Sequence, residues 1–487
     1  MRGGADTHHV PHSPRRRVPP VTTALDAPAA PASLRTAGLT AEASRAIGEW
    51  RDDPAWVREW RAAGWAAWQT IPMPTATTEG WRRTPLSIID VDQVHAVAAP
   101  AVPVRRVADL PEAVRALMGT GASHASTVVQ SNGTTVLAEL SDEARESGVV
   151  VCDIHEAFHR YPDLVREHLG TLVPARWQPG MPSNAGKFEA LNAAFFTGGL
   201  FVYVPNGVEV SLPVRALNWH ADTDAGFFPR SLIIVGENAR LAFLEEYASV
   251  AAPEGGHPVF GSAVVEVFVK DGGRLDYTTI QDWSLSTAGF VTQRTTLGNN
   301  AYCNWVSVSL GGMYTRGTAE VILKGKGTKA DMLGLAFGEG TQVFDFHTLQ
   351  DHQSAFTDSD QLYKTAMRER SRLVYEGLIN IRPGSYGSNG YQANRNLLLD
   401  DTAKADSIPM LEISDNDVRC THGSSVGPID KTHVYYLMTR GLPRADAERL
   451  VVQGFFEPVI ERIASEDLKE RVRAAVDAKI EIGRAHV

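Results

Sequence analysis

The chain has 487 residues, a hydrophobic fraction of 43% and a formal net charge of −10 at pH 7. This length and composition favour several globular domains with a sizeable core. The acidic balance argues against general nucleic-acid binding, which usually needs a basic face, and no apolar run approaches the roughly 18 residues of a membrane span.

The amino-terminal residues 1–34 are rich in Pro, Ala and Arg, and they predict a disordered tail. They contain no apolar segment of the kind that a secretion signal needs. The three cysteines, Cys152, Cys303 and Cys420, lie far apart without a C-x-x-C pair. This spacing excludes a disulfide framework and a four-cysteine cluster site within the chain, and we expect a cytoplasmic protein.

Residues 35–190 predict a mostly helical amino-terminal domain. Apolar residues recur at helical spacing between Thr40 and Gln69, and the tryptophans among them predict a packed helical core rather than a stacking platform. Asn132-Gly133 stands between two β-rich runs and predicts a hairpin.

The sequence from His155 to His159 spells H-E-x-x-H in a segment that looks helical, from Ile154 to Leu169. Two histidines at this spacing share one helical face, as they do in zinc proteases. No downstream histidine or glutamate pattern supplies a third ligand, so the sequence disfavours a metalloprotease.

Residues 191–428 predict a β-rich core, in which strand-like runs follow one another almost without helices. Many runs open on a similar turn, for example Asp271-Gly272-Gly273 before Leu275. A loose repeat of this kind is typical of a solenoid of stacked coils. The pattern alone fits a β-sandwich nearly as well.

One dense group of histidines and carboxylates lies within this β-rich region. It could hold a divalent metal or supply an acid–base pair, although a solvated strand face is the commoner outcome. It suggests one alternative function, a β-helix carbohydrate-active enzyme such as a lyase or hydrolase, which would be a secreted protein. The members of the group are Asp345, His347, Asp351, His352, Asp358 and Asp360.

The stretch Leu411–Asp430 carries the most distinctive chemistry. It begins as a strand, continues through an acidic turn, and then places Cys420 and His422 two residues apart, on one face of an extended backbone. A thiolate and an imidazole on one face can handle a soft metal or sulfur. A buried cysteine and a core histidine beside a tight turn is the alternative. Residues 429–487 then predict a helical carboxy-terminal domain.

The stretch resembles the carboxy-terminal signature of the SufB/SufD family of the SUF iron–sulfur cluster assembly system: an L-E-I strand, then C-x-H-G-x-x-V-G-x-I-D. Three further regions are similar to the same family. They are Glu79–Thr84, which reads E-x-W-R-x-T; Lys187–Ala194 with Tyr203–Val208; and Ser359–Lys364 with Glu376–Ile379 and Tyr391–Leu399.

This resemblance implies a mainly β fold, in which a right-handed parallel β-helix core is flanked by amino-terminal and carboxy-terminal helical domains. It implies a non-catalytic scaffold subunit that works with a SufB-like paralogue and with SufC, an ABC-type ATPase, and reaches a cysteine desulfurase through the SufB-like subunit. A transient iron–sulfur cluster would form at the subunit boundary, with no stable cofactor. His422 would offer a neutral imidazole, and Cys420 would be a second ligand.

Within the family, the resemblance favours the SufD-like branch over the SufB-like one. SufB-like chains carry a sulfur-accepting cysteine where this chain has Ala403, and E-H-E where it has Thr421-His422-Gly423. The carboxy-terminal helices of SufD-like proteins dock SufC, although core packing is an equal alternative for each candidate here. The candidates for this docking are Tyr435, Tyr436, Leu450, Phe455 and Phe456.

Overall fold

The computed structural model describes residues 30–84, 90–98, 104–118, 124–175, 186–254 and 256–482. The helices are α1 (Ala32–Arg35), α2 (Ala41–Trp50), α3 (Ala55–Thr70), α4 (Glu112–Met118), α5 (Asp142–Glu146), α6 (Ile154–Arg160), α7 (Pro162–His168), α8 (Lys187–Phe195), α9 (Lys431–Thr439), α10 (Arg444–Ile460) and α11 (Glu466–Ile482). The strands are β1 (Ser126–Ser131), β2 (Thr134–Leu140), β3 (Val150–Asp153), β4 (Leu200–Val204), β5 (Val214–His220), β6 (Arg230–Val235), β7 (Arg240–Ser249), β8 (Val259–Val269), β9 (Arg274–Asp282), β10 (Thr287–Leu297), β11 (Tyr302–Ser309), β12 (Tyr314–Leu323), β13 (Lys329–Gly338), β14 (Val343–His352), β15 (Asp358–Met367), β16 (Arg372–Ile381), β17 (Asn389–Leu398), β18 (Lys404–Ile413) and β19 (Arg419–Pro428).

The strands from β4 to β19 alternate between two sheets and form a β-solenoid of about eight coils. Each strand pairs in parallel with the strand two places further along the chain, for example β15 with β17 and β17 with β19. A sandwich would pair its strands antiparallel, so the structure confirms the predicted β-helix core and excludes the β-sandwich reading.

One corner of each coil uses a residue in the left-handed backbone conformation, which turns the chain from one sheet to the other. Each of these residues donates its N–H to a carbonyl of the next coil, as Asn238 does to Asp271 at 2.9 Å. Glycine and asparagine tolerate this conformation, and they fill nearly all of these corners. The exception is Phe356, with φ of 58°. The corner residues are Gly207, Asn238, Gly272, Asn300, Gly327, Phe356 and Gly387.

The interior of the solenoid changes character along its length. The early coils are filled by aliphatic and aromatic side chains such as Val202, Ile233 and Leu275. In the last coils, amides replace them: Gln361 and Gln392 are fully buried, and the Gln361 amide donates to the Tyr375 hydroxyl at 2.6 Å.

The segment 35–190 contains helices and three strands that extend the two sheets. The tryptophans of α2 and α3 pack into one hydrophobic core with α8, as predicted. The predicted hairpin is confirmed, because β1 and β2 pair antiparallel across Asn132 and Gly133, whose φ angles are 52° and 74°. The tail predicted for 1–34 lies outside the described residues as far as residue 29, and α1 begins at Ala32.

Two predicted helices are each broken in two. The segment from Thr40 to Gln69 divides at Asp52, which has φ of 52°, and at Pro54, which precedes α3. The segment from Ile154 to Leu169 divides at Tyr161, because Pro162 opens α7 and disfavours a helical residue before it.

The carboxy-terminal helices cover part of the outer face of the ten-stranded sheet, where Val452 and Phe456 pack against the strands. The side chain of Asp430 caps α9 by accepting from the N–H of Thr432 at 2.7 Å, as its position predicted. None of the helices in the described ranges is long and apolar enough to cross a bilayer.

Candidate functional site

The candidate site lies at the last coil of the solenoid. Strands β18 and β19 are the final strands of their two sheets, so each has an edge that no strand among the described residues pairs with. Side chains that would fill the interior of a further coil are therefore uncovered here. Ile413 is 47% exposed and Val426 is 44% exposed.

Cys420 and His422 belong to this last coil and share one face of β19. Their neighbours in register on β17 are Gly390 and Gln392, which both face the interior. His422 is exposed, whereas Cys420 is half-buried. The imidazole therefore lies at the open end of the solenoid, where a neighbouring protein could reach it.

The coil below leaves room for the Cys420 thiol. A Cβ on Gly390 would lie 3.6 Å from the Cys420 sulfur and 3.5 Å from Nε2 of His352. His352 is itself satisfied, because its ring nitrogens contact the hydroxyls of Thr357 at 2.7 Å and Ser359 at 2.8 Å. Burial raises the pKa of the Cys420 thiol, so this group favours its protonated form until a metal displaces the proton.

A buried amide lies next to His422. Gln392 donates to the carbonyl of Gly377 at 3.2 Å, but its Oε1 is buried and has no partner among the described residues. This acceptor occupies the position in register with His422. An acceptor so placed could fix the ring through one nitrogen and leave the other free for a metal.

The other two cysteines lie away from the candidate site at the end of the solenoid. Cys152 and Cys303 are buried, and burial raises the pKa of both thiols. Among the described residues, no group of three or more histidines, cysteines, aspartates and glutamates could hold a metal ion.

The predicted docking residues separate into two classes. Tyr435, Tyr436 and Leu450 are exposed by 68%, 56% and 43%. Phe456 is fully buried in the core, and Phe455 is half-buried beside it. A partner could therefore touch the first three side chains directly, whereas Phe456 stabilises the attachment of α10 to the solenoid.

The histidine–carboxylate group of the alternative enzyme is not brought together. Asp345 and His347 lie on the outer face of the nine-stranded sheet, Asp351 pairs with Arg382 at 2.7 Å, and His352 faces the interior. Asp358 and Asp360 lie on β15, in the other sheet. The six side chains therefore do not form one site of the kind that the carbohydrate-active enzyme would need.

Asp345 has a different role, which the sequence did not predict. Its carboxylate accepts from Thr84 at 2.6 Å and pairs with Arg316 at 2.6 Å, and the guanidinium of Arg316 lies 3.7 Å from the centre of the Trp81 ring. The Arg316 guanidinium and the His347 ring hold the pKa of the buried carboxyl below its usual range against the opposing effect of burial. The E-x-W-R-x-T segment thus attaches the amino-terminal part of the chain to the solenoid. The strand face that carries Asp345, which the sequence predicted to be solvated, is buried instead.

The H-E-x-x-H segment is structural. His155 is buried between Asp153 and Arg51, with Arg51 Nη2 3.1 Å from its Nδ1. Burial, and then the Arg51 charge, lowers the pKa of His155 to about 4. Glu156 pairs with Arg160, and His159 contacts the carbonyl of Asp52 at 2.9 Å, so this segment forms no zinc site.

Comparisons with known proteins agree with the fold and with the carboxy-terminal signature. Residues 218–455 match the family described as SUF system FeS cluster assembly, SufBD core domain, and residues 42–216 match the SufBD protein N-terminal region. The chain is 28% identical to the iron–sulfur cluster assembly protein SufD of Bacillus subtilis over 440 residues, which cover 90% of this chain and 97% of that protein.

Two further relatives are similar to nearly the same degree. The chain is 29% identical to SufB of Bacillus subtilis over 444 residues, or 88% of this chain and 90% of that protein. It is 28% identical over 444 residues, with the same shares, to an iron–sulfur cluster assembly SufBD family protein of Staphylococcus saprophyticus. The near-equal identities do not separate the SufD-like from the SufB-like branch.

Proposed function

The chain belongs to the SufB/SufD family of the SUF iron–sulfur cluster assembly system, and from that premise we propose that it is a SufD-like scaffold subunit without catalytic activity of its own. It would act in the cytoplasm, in a complex with a SufB-like paralogue and a SufC-like ABC ATPase. The observation that carries the proposal is the exposure of His422 at the open end of the solenoid.

The open end suits a shared boundary between two similar subunits. The unpaired edges of β18 and β19 offer backbone donors and acceptors, and such edges readily pair with another chain. The exposed Ile413 and Val426 add apolar area to the same end. A SufB-like partner seated here would bring its own ligands close to His422.

A cluster formed at this boundary would receive few ligands from this chain. His422 would supply an imidazole nitrogen, and Cys420 would supply sulfur after losing a proton, because burial raises its pKa. A cluster held by few ligands and across two chains is exchangeable, which suits transfer to a client protein rather than storage. The cluster is therefore cargo, and the proposal includes no resident cofactor.

The SufD-like assignment is supported by residues near the last coil. Ala403 stands where SufB-like chains carry the sulfur-accepting cysteine, and its side chain is buried in an apolar cluster. Sulfur from a cysteine desulfurase would then arrive through the SufB-like subunit. The SufB-like alternative remains because the two relatives are equally similar, and it predicts that this chain alone accepts labelled sulfur from a desulfurase.

The carboxy-terminal helices would dock the ATPase. Tyr435 and Tyr436 of α9 and Leu450 of α10 are exposed apolar side chains, and tyrosine is enriched at the energetic centres of interfaces. Because α10 packs directly on the solenoid, a movement of the ATPase would be transmitted to the coils.

The test is cluster assembly on the complex. The chain is co-expressed with SufB-like and SufC-like partners, purified without oxygen and supplied with ferrous iron and sulfide, and bound iron and acid-labile sulfide are measured. We expect His422→Ala to leave the complex intact and to lower the assembled cluster by about tenfold. His433→Ala is the matched control, since His433 is exposed on α9.

Two results would contradict the proposal, and they are distinguishable. Unchanged assembly with His422→Ala would remove this residue from the site. Failure of the wild-type chain to co-purify with either partner would remove the scaffold function itself.

A further inference from the structure

A groove of about 680 Å³ lies between the carboxy-terminal end of the solenoid and helix α10. Its floor is the outer face of β15, β17 and β19, and its wall is formed by Phe455 and Pro458 of α10. Helix α10 covers the strands next to it, but it leaves the last coil open. The groove lies on the outer face of the sheet, whereas Cys420 and His422 lie on its inner face.

Two cationic side chains stand next to each other on this floor. Lys364 of β15 and Arg395 of β17 are directly in register, and both line the groove. The Lys364 ammonium donates to the carbonyl of Phe455 at 2.7 Å, and burial, then the Arg395 charge, lowers its pKa. Like charges on adjacent strands repel each other, so this pair is unfavourable without an anion beside it.

The Arg395 guanidinium has no hydrogen bond or ion pair with any of the described residues. The other charged residues of the groove are already engaged or lie further along the strands. Arg462 pairs with Asp331 at 2.5 Å, and Asp360 lies four residues before Lys364 on β15 without an ion pair to Arg395. No acidic group of the groove therefore neutralises Arg395.

Two hydrogen-bond donors converge above a residue that has no side chain. A Cβ on Gly423 would lie 3.5 Å from Nη2 of Arg395 and 3.7 Å from the hydroxyl of Tyr391. Gly423 belongs to β19, the last strand of the sheet, and is half-buried. A guanidinium and a hydroxyl aimed at one empty point form a cradle for a negatively charged oxygen.

The groove also has an apolar part, and its volume is larger than a simple inorganic ion requires. Leu362 and the rings of Tyr391 and Phe455 line it, and its volume lies within the range of pockets for small organic ligands. A ligand could therefore place a charged end against Arg395 and an apolar body along the floor.

We propose that this groove binds a small organic anion, whose carboxylate or phosphate group is held by Arg395, Tyr391 and the Lys364 charge over Gly423. The body of the ligand lies against Leu362 and Phe455. This site lies on the outer face of the sheet and is separate from the proposed cluster site on its inner face.

The test uses phenyl phosphate and benzoate as probes. Inorganic phosphate, which lacks the apolar body, and phenol, which lacks the anionic group, are the matched control probes. Binding to the full-length chain is measured by calorimetry at millimolar concentrations. We expect one or both aromatic anions to bind, inorganic phosphate to bind more weakly, and phenol not to bind. Binding of phenyl phosphate alone would indicate a phosphate ligand, and binding of benzoate alone would indicate a carboxylate ligand.

Variants assign the binding to the groove. Arg395→Gln should weaken the binding by about tenfold, which corresponds to about 1.4 kcal/mol, and Arg395→Lys should restore part of it. Gly423→Ala keeps both charges but fills the cradle, so it should also weaken binding. Arg274→Gln removes an exposed arginine on β9, outside the groove, and should change nothing.

The proposal is overturned if neither aromatic anion binds the wild-type chain, or if Arg395→Gln binds them as the wild type does. Thermal unfolding of each variant is compared with that of the wild type. If Arg395→Gln lowers the unfolding temperature, Gly423→Ala and Arg395→Lys decide the outcome.

Discussion

At the scale of single residues, the strained corner at Phe356 is the clearest departure from the pattern of the solenoid. The left-handed conformation costs a residue with a side chain roughly 1–2 kcal/mol. Phe356 is 50% exposed, and its ring meets that of Tyr386 edge-on at 5.2 Å. An aromatic contact of this kind contributes about 0.5–1.5 kcal/mol.

We therefore predict that Phe356→Asn stabilises the chain by up to about 1 kcal/mol, because asparagine tolerates the left-handed conformation at the equivalent corners Asn238 and Asn300. The denaturant midpoint measures the change. Tyr386→Ala is the control, since it removes the ring contact and leaves the strained backbone. A lower midpoint for Phe356→Asn would show that the aromatic pair outweighs the strain.

Three buried histidines make stability depend on pH. Burial lowers the pKa of His155, His220 and His352 from 6.5 to about 4. Between pH 6.5 and 4 these histidines bind protons in the unfolded chain but not in the folded chain. The stability that the neutral histidines contribute is therefore complete above about pH 6.5 and is lost as the pH falls towards 4. Each histidine contributes a slope of about 1.4 kcal/mol per pH unit in this window.

His352→Gln should accordingly flatten the decline in stability between pH 6.5 and 5, whatever its effect at neutral pH. Denaturant unfolding at several pH values measures the slope. Equal slopes for the variant and the wild type would mean that His352 does not stay neutral in the folded chain.

At the scale of elements, the sequence predicted the succession of strands and the carboxy-terminal helices, because turns and caps are local signals. The Asn132-Gly133 hairpin and the Asp430 cap are examples. Breaks within helices were missed where the cause is a single residue, as at Tyr161 before Pro162. The burial of Asp345 was also missed, since it depends on Thr84, which is 261 positions away in the chain.

The two classes of docking candidate lead to opposite expectations. Phe456→Ala should cost about 3–5 kcal/mol of unfolding free energy, because it empties a fully buried site under α10. Tyr436→Ala should change stability by no more than about 0.5 kcal/mol, since its ring is exposed.

The same Tyr436→Ala variant should weaken binding of the SufC-like ATPase by about tenfold, because truncating a tyrosine at the centre of an interface removes a large contact. Thermal unfolding and a binding titration, run on both variants, separate the two roles. ATPase affinity unchanged by Tyr436→Ala would remove α9 from the docking surface.

At the scale of the whole molecule, residue patterns alone left a solenoid and a sandwich open, and only the parallel pairing of β4 to β19 distinguishes them. Strand alternation does not reveal the polar interior of the last coils, because amides such as Gln361 and Gln392 are buried there in place of apolar side chains. The position of His422 at an open end also needed the fold, since the sequence does not state which coil is last.

The proposed function requires that two chains complete one cluster site at this open end. The most direct measurement is pulsed electron paramagnetic resonance on the reduced cluster of the assembled complex, with ¹⁵N-histidine introduced only into this chain. We predict a ¹⁵N coupling to the cluster that disappears in His422→Ala and persists in His433→Ala. A cluster that forms on the wild-type complex and shows no ¹⁵N coupling from this chain would contradict the account.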